Sequence, residues 1–402
     1  MNALNWNRLK HRVFVRLHNA LLFAQRRTNI KSILLIPEFS SFGGTRTYLL
    51  TLLRFYNKYK FKVTILLDEK NVDEEIINQI VDYEFKYIIF DISSIHSSSK
   101  NIDKTLLSQE VKLIWSLYLK GRFDLIVFSI GTPGNFLNSF IFPTRVLYVL
   151  HTYPTHNYIQ QRQRKILSTL LGPQKRILTV SEFSKTNIVD HWKLSHKTGF
   201  VNVIYNTTIV EKPKLEYDQH NKGELIVTTL GHVETYKNPF VWVEVARKCI
   251  DDNPSIKLKF IWAGDGTLLN DCVKKVSAYG LSSQIRFIEP ASNVSDLLHQ
   301  TDIYFQPSLI ESFGLSVLEA MSNHKPCVVS NKGGLPEVVT DEVSGFLVDP
   351  DDIETMSSKI NLLVQNQKIR SKMGDEAFNQ YMIRFSESVW ENEMLSLYHD
   401  II

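Results

Sequence analysis

Runs of strand length that are rich in β-branched, aromatic and aliphatic residues recur along the chain, and longer amphipathic segments separate them. These runs lie at 32–36, 61–67, 86–90, 123–129, 145–150, 176–181, 224–231, 256–264, 284–289, 302–307 and 325–330. Residues 239–250 and 268–280, among others, show helical periodicity between them. Strands that alternate with helices are typical of parallel sheets covered by helices on both faces. The pattern therefore predicts the α/β class.

The alternation stops in a polar stretch at 206–223 and then starts again, so we place a linker there. A chain of 402 residues is also longer than one ordinary hydrophobic core. The predicted segments are an N-terminal helix at 1–30, a Rossmann-like domain at 31–205, a second Rossmann-like domain at 224–385 and a closing helix at 386–402. Two doubly wound domains in tandem predict a ligand cleft at the carboxyl ends of the strands.

The N-terminal helix is the most biased part of the sequence, because the first acidic residue of the chain is Glu38. Arg8, Arg12 and Arg16 fall on one helical stripe beside a stripe of leucine and valine. Such a basic amphipathic helix can lie in an anionic membrane interface. It can also pack on its own domain with the arginines in water, and the sequence leaves both readings open.

The composition is that of a folded protein, with 44% hydrophobic and 22% charged residues. A net charge of +4 is small for this length and favours no nucleic-acid partner. The three cysteines lie far apart, which favours a reducing compartment and predicts neither disulfides nor a zinc site. No apolar run approaches the roughly 20 residues of a membrane span, and the first residues make a poor signal peptide. We therefore expect a cytoplasmic protein.

Two glycine-rich turns follow predicted strands. Gly43 and Gly44 lie between the first strand and its helix, and Gly231 ends the first strand of the second half, with Lys237 six residues later. Such turns let backbone N–H groups approach an anion at a helix N-terminus. Neither turn is a P-loop or a GxGxxG fingerprint, so each alone is more often only a turn.

The segment "ESFGLSVLEA" places Glu311 before a turn and Glu319 in the helix that follows. The amides of Phe313, Gly314, Leu315 and Ser316 would be unpaired at that helix start and could bind a diphosphate. Carboxylates accept hydrogen bonds from the vicinal hydroxyls of a sugar or ribose. As isolated residues, the two glutamates would more often be a helix cap and a surface ion pair.

Several motifs in a fixed order carry a resemblance to a known family. They are the Gly43-Gly44 loop, "VLHT" with His151, "LTVSEFSKTNI", "VIYNTTI", "GHVETYKNP", "WAGDGTLL", the pair Glu311 and Glu319, and "NKGGLPEVVTDEVSGFLVDPDD". In this order and spacing, over most of the chain, the sequence resembles the family 4 glycosyltransferases. The resemblance implies a GT-B architecture, in which two Rossmann-like domains face each other across a cleft.

The resemblance also implies roles for individual residues. The second domain would bind a nucleotide-diphosphate sugar, with Glu319 at the ribose, Glu311 at the donor sugar, and Lys237 with the amides of residues 313–316 at the diphosphate. The first domain would bind the acceptor, with the Gly44 turn near the phosphates or the acceptor and His151 beside the reacting sugar. No metal and no cofactor are implied, because lysine and helix N-termini replace the cation.

The implied activity is a retaining transfer of a hexosyl group to a hydroxyl of a glycan or lipid-linked acceptor, in surface polysaccharide or glycolipid assembly. The protein would be cytoplasmic, or peripheral on the inner face of the membrane. The family pattern has an arginine beside Gly231, where this chain has His232 as the donor-binding candidate. The change weakens the diphosphate site, shifts the phosphate contact to Lys237 or Arg286, or marks an unusual donor. Two alternatives are a nucleotide-sugar 2-epimerase and a non-catalytic nucleotide-sugar-binding subunit. The sequence does not identify the base, the sugar or the acceptor.

Overall fold

The computed structural model describes residues 30–38, 43–71, 73–90, 123–154, 161–209, 223–290 and 294–401. The predicted N-terminal basic helix at 1–30 lies outside these residues except for its last position. The chain divides into two compact units: the first takes in Met1–Ile204 and Glu391–Ile402, and the second is Tyr205–Trp390. Elements are numbered below among the described residues.

The first unit is built on a parallel sheet of seven strands. The strands are β1 (Ser32–Pro37), β2 (Lys62–Asp68), β3 (Lys86–Phe90), β4 (Leu125–Ile130), β5 (Arg145–Leu150), β6 (Lys175–Thr179) and β7 (Val201–Val203). Their order in the sheet is β3-β2-β1-β4-β5-β6-β7. Every residue of β4 and β5 is buried, as expected for a parallel sheet with both faces covered.

Five helices of at least nine residues belong to the described part of this unit or reach into it. They are α1 (Gly44–Lys58), α2 (Glu74–Asp82), α3 (Gln161–Leu170), α4 (Glu182–His191) and the C-terminal helix, Glu387–Ile401. Local sequence explains the start of α2, because the carboxylate of Asp73 accepts a hydrogen bond from the Ile76 amide. The final helix packs on the first unit through a 2.6 Å hydrogen bond between the hydroxyls of Tyr56 and Tyr398.

The second unit repeats the same plan with six parallel strands. They are β8 (Glu224–Leu230), β9 (Lys257–Ala263), β10 (Ile285–Ile288), β11 (Ile303–Gln306), β12 (Cys327–Ser330) and β13 (Gly345–Val348), in the order β10-β9-β8-β11-β12-β13. Its α-helices are α5 (Pro239–Asp252), α6 (Leu269–Ala278), α7 (Val294–Gln300), α8 (Leu315–Ser322), α9 (Leu335–Val338), α10 (Ile353–Gln365) and α11 (Gln367–Arg384), which makes the C-terminal helix α12. The core includes Trp242, Phe260 and Trp262.

The hydrophobic pattern predicted these sheets well and missed their shortest strands. Each predicted strand lies within two residues of an observed one, whereas β7 and β13 were not predicted. Three or four residues are too few to show a strand period, and pairing with β6 and β12 is what makes them strands. Among the described helices, none is both long and apolar enough to cross a membrane.

Candidate functional site

The second unit brings its candidate residues together at the switch point of its sheet. Strands β8 and β11 are neighbours, although β9 and β10 extend the sheet in one direction and β12 and β13 in the other. Ligands of open α/β sheets bind at the carboxyl ends of such strands. Here β8 leads into Gly231 and β11 leads into Ser308, so loops from both strands emerge at this point.

Gly231 makes room for the Lys237 ammonium. Its φ of +123° is a conformation that side chains rarely adopt, and a Cβ there would lie 3.3 Å from Lys237 Nζ. The indole of Trp262 donates a 2.8 Å hydrogen bond to the Gly231 carbonyl and holds the turn against β9. The glycine is therefore required by both backbone conformation and space.

Lys237 and Glu311 form a nearly buried ion pair. Nζ of Lys237 lies 2.7 Å from Oε1 of Glu311, and the two side chains are 8% and 13% exposed. Burial by itself lowers the pKa of Lys237, but Glu311, Tyr236 and Glu319 raise it by more, so the net shift is upward. The lysine therefore stays charged, as an anion-binding group must.

All contacts that the Glu311 carboxylate receives from donors within the described part of the chain reach one of its two oxygens. Besides Lys237, the amide of Gln306 and the hydroxyl of Ser308 each donate to Oε1 at 3.0 Å. No described group donates to Oε2. One oxygen thus anchors the carboxylate, and the other stays available to a ligand hydroxyl.

The start of α8 presents backbone donors, as the sequence predicted. Val317 and Leu318 donate to the Gly314 carbonyl, but no acceptor in the described ranges receives the amides of Phe313, Gly314, Leu315 or Ser316. Gly314 has φ +103°, and a Cβ there would lie 2.5 Å from the side chain of Leu335. The four amides carry the partial positive end of the helix dipole.

Phe313 contributes to this site only through its backbone. Its ring is 2% exposed and packs 5.8 Å from the rings of Tyr205 and Phe385. The side chain therefore belongs to an aromatic cluster that supports the turn before α8.

Glu319 lies in α8, just over one turn from its start. Burial raises the pKa of its carboxyl to about 7, and the positive charge of Lys237 opposes that rise. Among the described residues, no group donates a hydrogen bond to the carboxyl. The side chain is partly exposed, so it can receive hydrogen bonds from a ligand.

His232 is half-buried beside Lys237. Burial and the lysine charge lower its pKa, and Glu234 and Asp265 partly offset the effect, so His232 is mostly neutral at pH 7. The alternative cation, Arg286, is not brought to this point, because it lies exposed in the edge strand β10, which β9 separates from β8. Of these three candidates for the phosphate contact, Lys237 is therefore the one that is charged and lies after β8.

His151 belongs to the first unit, directly after β5. Its Nε2 shares a 2.8 Å hydrogen bond with the Ser129 hydroxyl, and its ring meets the Tyr48 ring edge-on at 4.3 Å. Burial lowers the pKa of His151 to about 3, so the imidazole is neutral at physiological pH.

Gly43 and Gly44 lie at the start of α1 in the same unit. Gly43 has φ +107°, and its carbonyl accepts hydrogen bonds from the amides of Arg46 and Thr47. The Arg46 guanidinium lies 3.3 Å from Asp73 and 2.5 Å from Glu75, so carboxylates already neutralise the positive charge beside this turn.

Comparison with known proteins shows that part of the chain is similar to a family. Residues 213–380 match the family model of the glycosyl transferases group 1. The match covers most of the second unit and less than half of the chain. The chain is 28% identical over 184 residues to UDP-Gal:alpha-D-GlcNAc-diphosphoundecaprenol alpha-1,3-galactosyltransferase of Escherichia coli, a match that covers 45% of the chain and 47% of that protein. The chain thus spans about half the length of this curated relative.

Solved structures support the fold of the whole chain. A glycosyltransferase of Rickettsia africae superposes with a TM-score of 0.76 at 18% identity, over 93% of this chain and 99% of that one. Anabaena HepE in complex with UDP and glucose superposes with a TM-score of 0.71 at 17% identity, over 91% and 98%. These matches confirm the predicted GT-B class of fold.

The sequence analysis gave no site role to four residues of the second unit that shape this site, although a motif that it used for the resemblance contains Gly333 and Gly334. Gln306 and Ser308 hold Glu311, and a Cβ on Gly333 or Gly334 would lie 2.2 Å and 2.4 Å from the carbonyls of Glu311 and Ser312. The Gly-Gly pair after β12 was a detectable signal, since adjacent glycines at a strand end indicate a close backbone approach. Nothing in the local pattern marks Gln306, because an end-of-strand glutamine is ordinary until its neighbours are known.

Metal ligands are not grouped within the described ranges, where no three His, Cys, Asp or Glu side chains cluster as a metal site requires. Among the described residues of the second unit, the Lys237 ammonium and the backbone amides at the start of α8 are donors that a phosphate could use. Metal independence stays a prediction.

Proposed function

We propose that this protein is a retaining, metal-independent glycosyltransferase that moves a hexosyl group from a nucleoside-diphosphate sugar to a hydroxyl of a glycan or lipid-linked acceptor. The observation that carries the proposal is the nearly buried pair of Lys237 and Glu311, which borders a helix start where four amides meet no acceptor among the described residues. A charged lysine and converging N–H groups favour a diphosphate, and a carboxylate with one open oxygen favours a sugar hydroxyl.

Transition-state stabilisation in this proposal comes from Lys237 and the α8 amides. Negative charge grows on the diphosphate as the sugar leaves, and preorganised donors stabilise that charge without reorganisation. Nζ of Lys237 carries three N–H donors, and Glu311 is its one hydrogen-bond acceptor in the described part of the chain. The remaining donors are therefore available to the departing phosphate.

The two glutamates position the donor and do not act as the acid and nucleophile of a glycosidase. Glu311 would accept a hydrogen bond from the donor sugar through Oε2, because Oε1 already has three donors. Glu319 would accept from the ribose. Retention would follow from a front-face displacement in which the leaving phosphate takes the acceptor proton.

His151 takes part in the proposal as a neutral hydrogen-bonding group of the first unit. With a pKa near 3 it carries no charge to repel the cationic sugar ring of the transition state. Its hydrogen bond to Ser129 fixes the plane of the imidazole. Acid catalysis by this residue at neutral pH is not part of the mechanism.

The names of similar proteins guide the choice of donor. The Escherichia coli relative is named for UDP-Gal, and the Anabaena structure contains UDP with glucose. We therefore choose UDP-hexoses as the first donors to test. The Escherichia coli acceptor is a diphosphoundecaprenol-linked sugar, which fits an acceptor in surface polysaccharide or glycolipid assembly.

The test combines donor binding with product release. We expect UDP and one UDP-hexose to raise Tm in a thermal-shift screen, because a ligand that binds only the folded state stabilises it. We expect release of UDP with a lipid-linked glycan acceptor present, and a product whose anomeric configuration matches the donor. A changed hexose without transfer would instead show an epimerase, and binding without either reaction would show a binding subunit.

Glu311→Ala is the matched variant for this test. It should remove the anchor for the sugar and abolish transfer while UDP still binds, whereas Glu354→Ala, at an exposed carboxylate paired with Lys248, should leave transfer unchanged. Full turnover by Glu311→Ala would contradict the proposal. Addition of EDTA should leave the wild-type rate unchanged if no metal takes part.

Residues 1–30 supply the proposed membrane contact. Their arginine stripe and lack of acidic residues suit an anionic lipid surface, where a lipid-linked acceptor would be found. The chain should float with anionic liposomes, and a variant with Arg8, Arg12 and Arg16 changed to glutamine should not. Equal flotation of both proteins would rule out this contact.

A further inference from the structure

We propose that Gln306 is the positioning residue of the donor site: its side-chain amide orients Glu311 and ties it to the start of α8. The inference rests on the proposed function for its catalytic consequence, but the contacts that carry it are independent of that function. Gln306 ends β11, and its side chain is completely buried.

Three hydrogen bonds fix the amide of Gln306. Its Oε1 accepts from the hydroxyls of Tyr304 and Ser316, each at 2.8 Å, and its Nε2 donates to Oε1 of Glu311 at 3.0 Å. The Tyr304 hydroxyl in turn accepts from the Leu230 amide at 3.3 Å. One side chain thus connects the end of β8, the end of β11, the loop with Glu311 and the first turn of α8.

A primary amide satisfies all of these partners at any pH. Two hydroxyls need an acceptor on one side, and a carboxylate needs a donor on the other side. Leucine offers neither group, and an ionised carboxylate would face the carboxylate of Glu311. The chemistry of the three partners therefore selects glutamine at this position.

The orientation of Glu311 follows from this network. Gln306 and Ser308 add neutral donors on the oxygen that already faces Lys237, so Oε1 is fully occupied and Oε2 points away from its protein partners. Without the amide, Oε1 would keep Lys237 and Ser308, and the carboxylate could rotate. Hydrogen bonds to a charged group are among the stronger ones, so loss of this one should be measurable.

Gln306→Leu and Gln306→Glu form the test pair, because the second variant can regain the donor by protonation. At pH 8 we expect each variant to lose about 10- to 100-fold in kcat for transfer while the Kd for UDP stays within about threefold of wild type. A lower kcat with a nearly unchanged Kd for UDP would show that the variant misplaces the group that contacts the donor sugar. A general loss of structure would weaken UDP binding as well.

The pH profile gives the decisive readout. The introduced carboxyl of Gln306→Glu lies against Glu311 in a buried place, so its pKa is raised and it becomes protonated on acidification. A protonated carboxyl donates to Glu311, so kcat of Gln306→Glu relative to wild type should rise from pH 8 to pH 5.5. Other titratable groups also face this region, namely Lys237, Glu319, Tyr304 and His232. All three proteins contain these groups, so their effects cancel when the kcat of a variant is divided by that of wild type. Gln306→Leu should show no such recovery.

Stability measurements test the contact even without activity. The free energy of unfolding of Gln306→Glu should fall relative to wild type as pH rises from 5.5 to 8, because its folded state holds the extra proton. The corresponding difference for Gln306→Leu should not change with pH. Variants with wild-type kcat, or a Gln306→Glu protein with no pH-dependent difference in either readout, would overturn the positioning role. A wild-type chain that transfers nothing, combined with the expected stability profile, would instead reject only the proposed function.

Discussion

The switch points of the two sheets carry a glutamate each, and the two glutamates are used differently. In the first unit, Glu38 follows β1 and accepts hydrogen bonds from the amides of Gly131 at 3.1 Å and Thr132 at 2.7 Å on one oxygen, and from the side chain of Asn135 on the other. In the second unit, Glu311 follows β11, and the described donors to its carboxylate all reach one oxygen.

This difference separates a carboxylate with a structural role from one that could bind a ligand. Both oxygens of Glu38 accept hydrogen bonds from its own unit, so its charge holds the loop after β4. Glu311 is also anchored, but among the described residues no donor reaches its second oxygen, which lies beside a charged lysine. Similar topology therefore gives two sheet edges of different chemistry, and the second is the one at which we propose that the donor binds.

Removal of the Lys237 charge should produce the largest effect. Lys237→Met should lower kcat for transfer by about 100- to 1000-fold, since loss of one preorganised donor to a developing anion costs roughly 3–4 kcal/mol. Lys248→Met removes a lysine from a partly exposed position of α5 and should leave the rate unchanged. Steady-state kinetics at saturating donor checks both variants, and a mild effect at Lys237 would place the phosphate elsewhere.

The second-largest effect is expected from a substitution that clashes with the loop containing Glu311. A Cβ at Gly334 would lie 2.4 Å from the Ser312 carbonyl, although its φ of −82° suits any residue. Gly334→Ala should therefore displace this loop, lower kcat at least tenfold and cost about 1–3 kcal/mol of stability.

Gly199→Ala is the matched control for that change. No atom lies within 4 Å of a Cβ placed on Gly199, in the first unit. Urea unfolding and transfer rates should match wild type within error. Equal behaviour of the two alanine variants would mean that the contact between Gly334 and Ser312 does not constrain the site.

The titration of Glu319 should have a smaller, pH-dependent effect. Burial raises the pKa of Glu319 to about 7 in the folded protein. Between the ordinary carboxyl pKa and pH 7, the folded state therefore holds a proton that the unfolded state has released. This carboxyl therefore makes its full contribution to stability below the ordinary pKa and loses it as pH rises to 7. Relative to Glu319→Gln, wild type should lose about 1–3 kcal/mol of unfolding free energy between pH 4.5 and pH 8.

UDP binding should respond to Glu319 in the opposite direction. Ribose hydroxyls donate best to an ionised carboxylate, so the affinity of wild type for UDP should increase from pH 5.5 to pH 8. Calorimetric titration of wild type and Glu319→Gln at both pH values isolates this residue. Parallel pH profiles of the two proteins would assign the ribose contact to another group.

Glu38 should affect stability alone. Glu38→Gln replaces charge-assisted hydrogen bonds to the amides of Gly131 and Thr132 by weaker ones and should cost about 1–3 kcal/mol of unfolding free energy. Its Kd for UDP should equal that of wild type. Glu182→Gln, at an exposed carboxylate 3.5 Å from Lys185, should change stability by less than about 1 kcal/mol. A loss of UDP affinity in Glu38→Gln would weaken the contrast between the two units.

Local patterns predicted the described strands other than β7 and β13, and they named the charged residues of the candidate site. The alternation of apolar runs and amphipathic segments is a property of short stretches, so it predicted two parallel sheets and the break between them. Glu311, Glu319, Lys237 and the α8 amides were identified because motif order marks loops at strand ends. Arg286, offered as an alternative cation, lies in an edge strand, which strand order decides and periodicity does not.

The sequence by itself determined the fold class, the family resemblance and the residues that are candidates for binding the sugar donor. Hydrophobic periodicity and motif spacing are properties of the linear sequence, so they need no tertiary structure. Only the tertiary structure decided which oxygen of Glu311 is occupied, that His151 is neutral, that the ring of Phe313 is buried and that Gln306 joins four segments. Those properties depend on contacts between residues distant in sequence and on the loss of water around them. Burial and partner geometry arise only when the strands are in register.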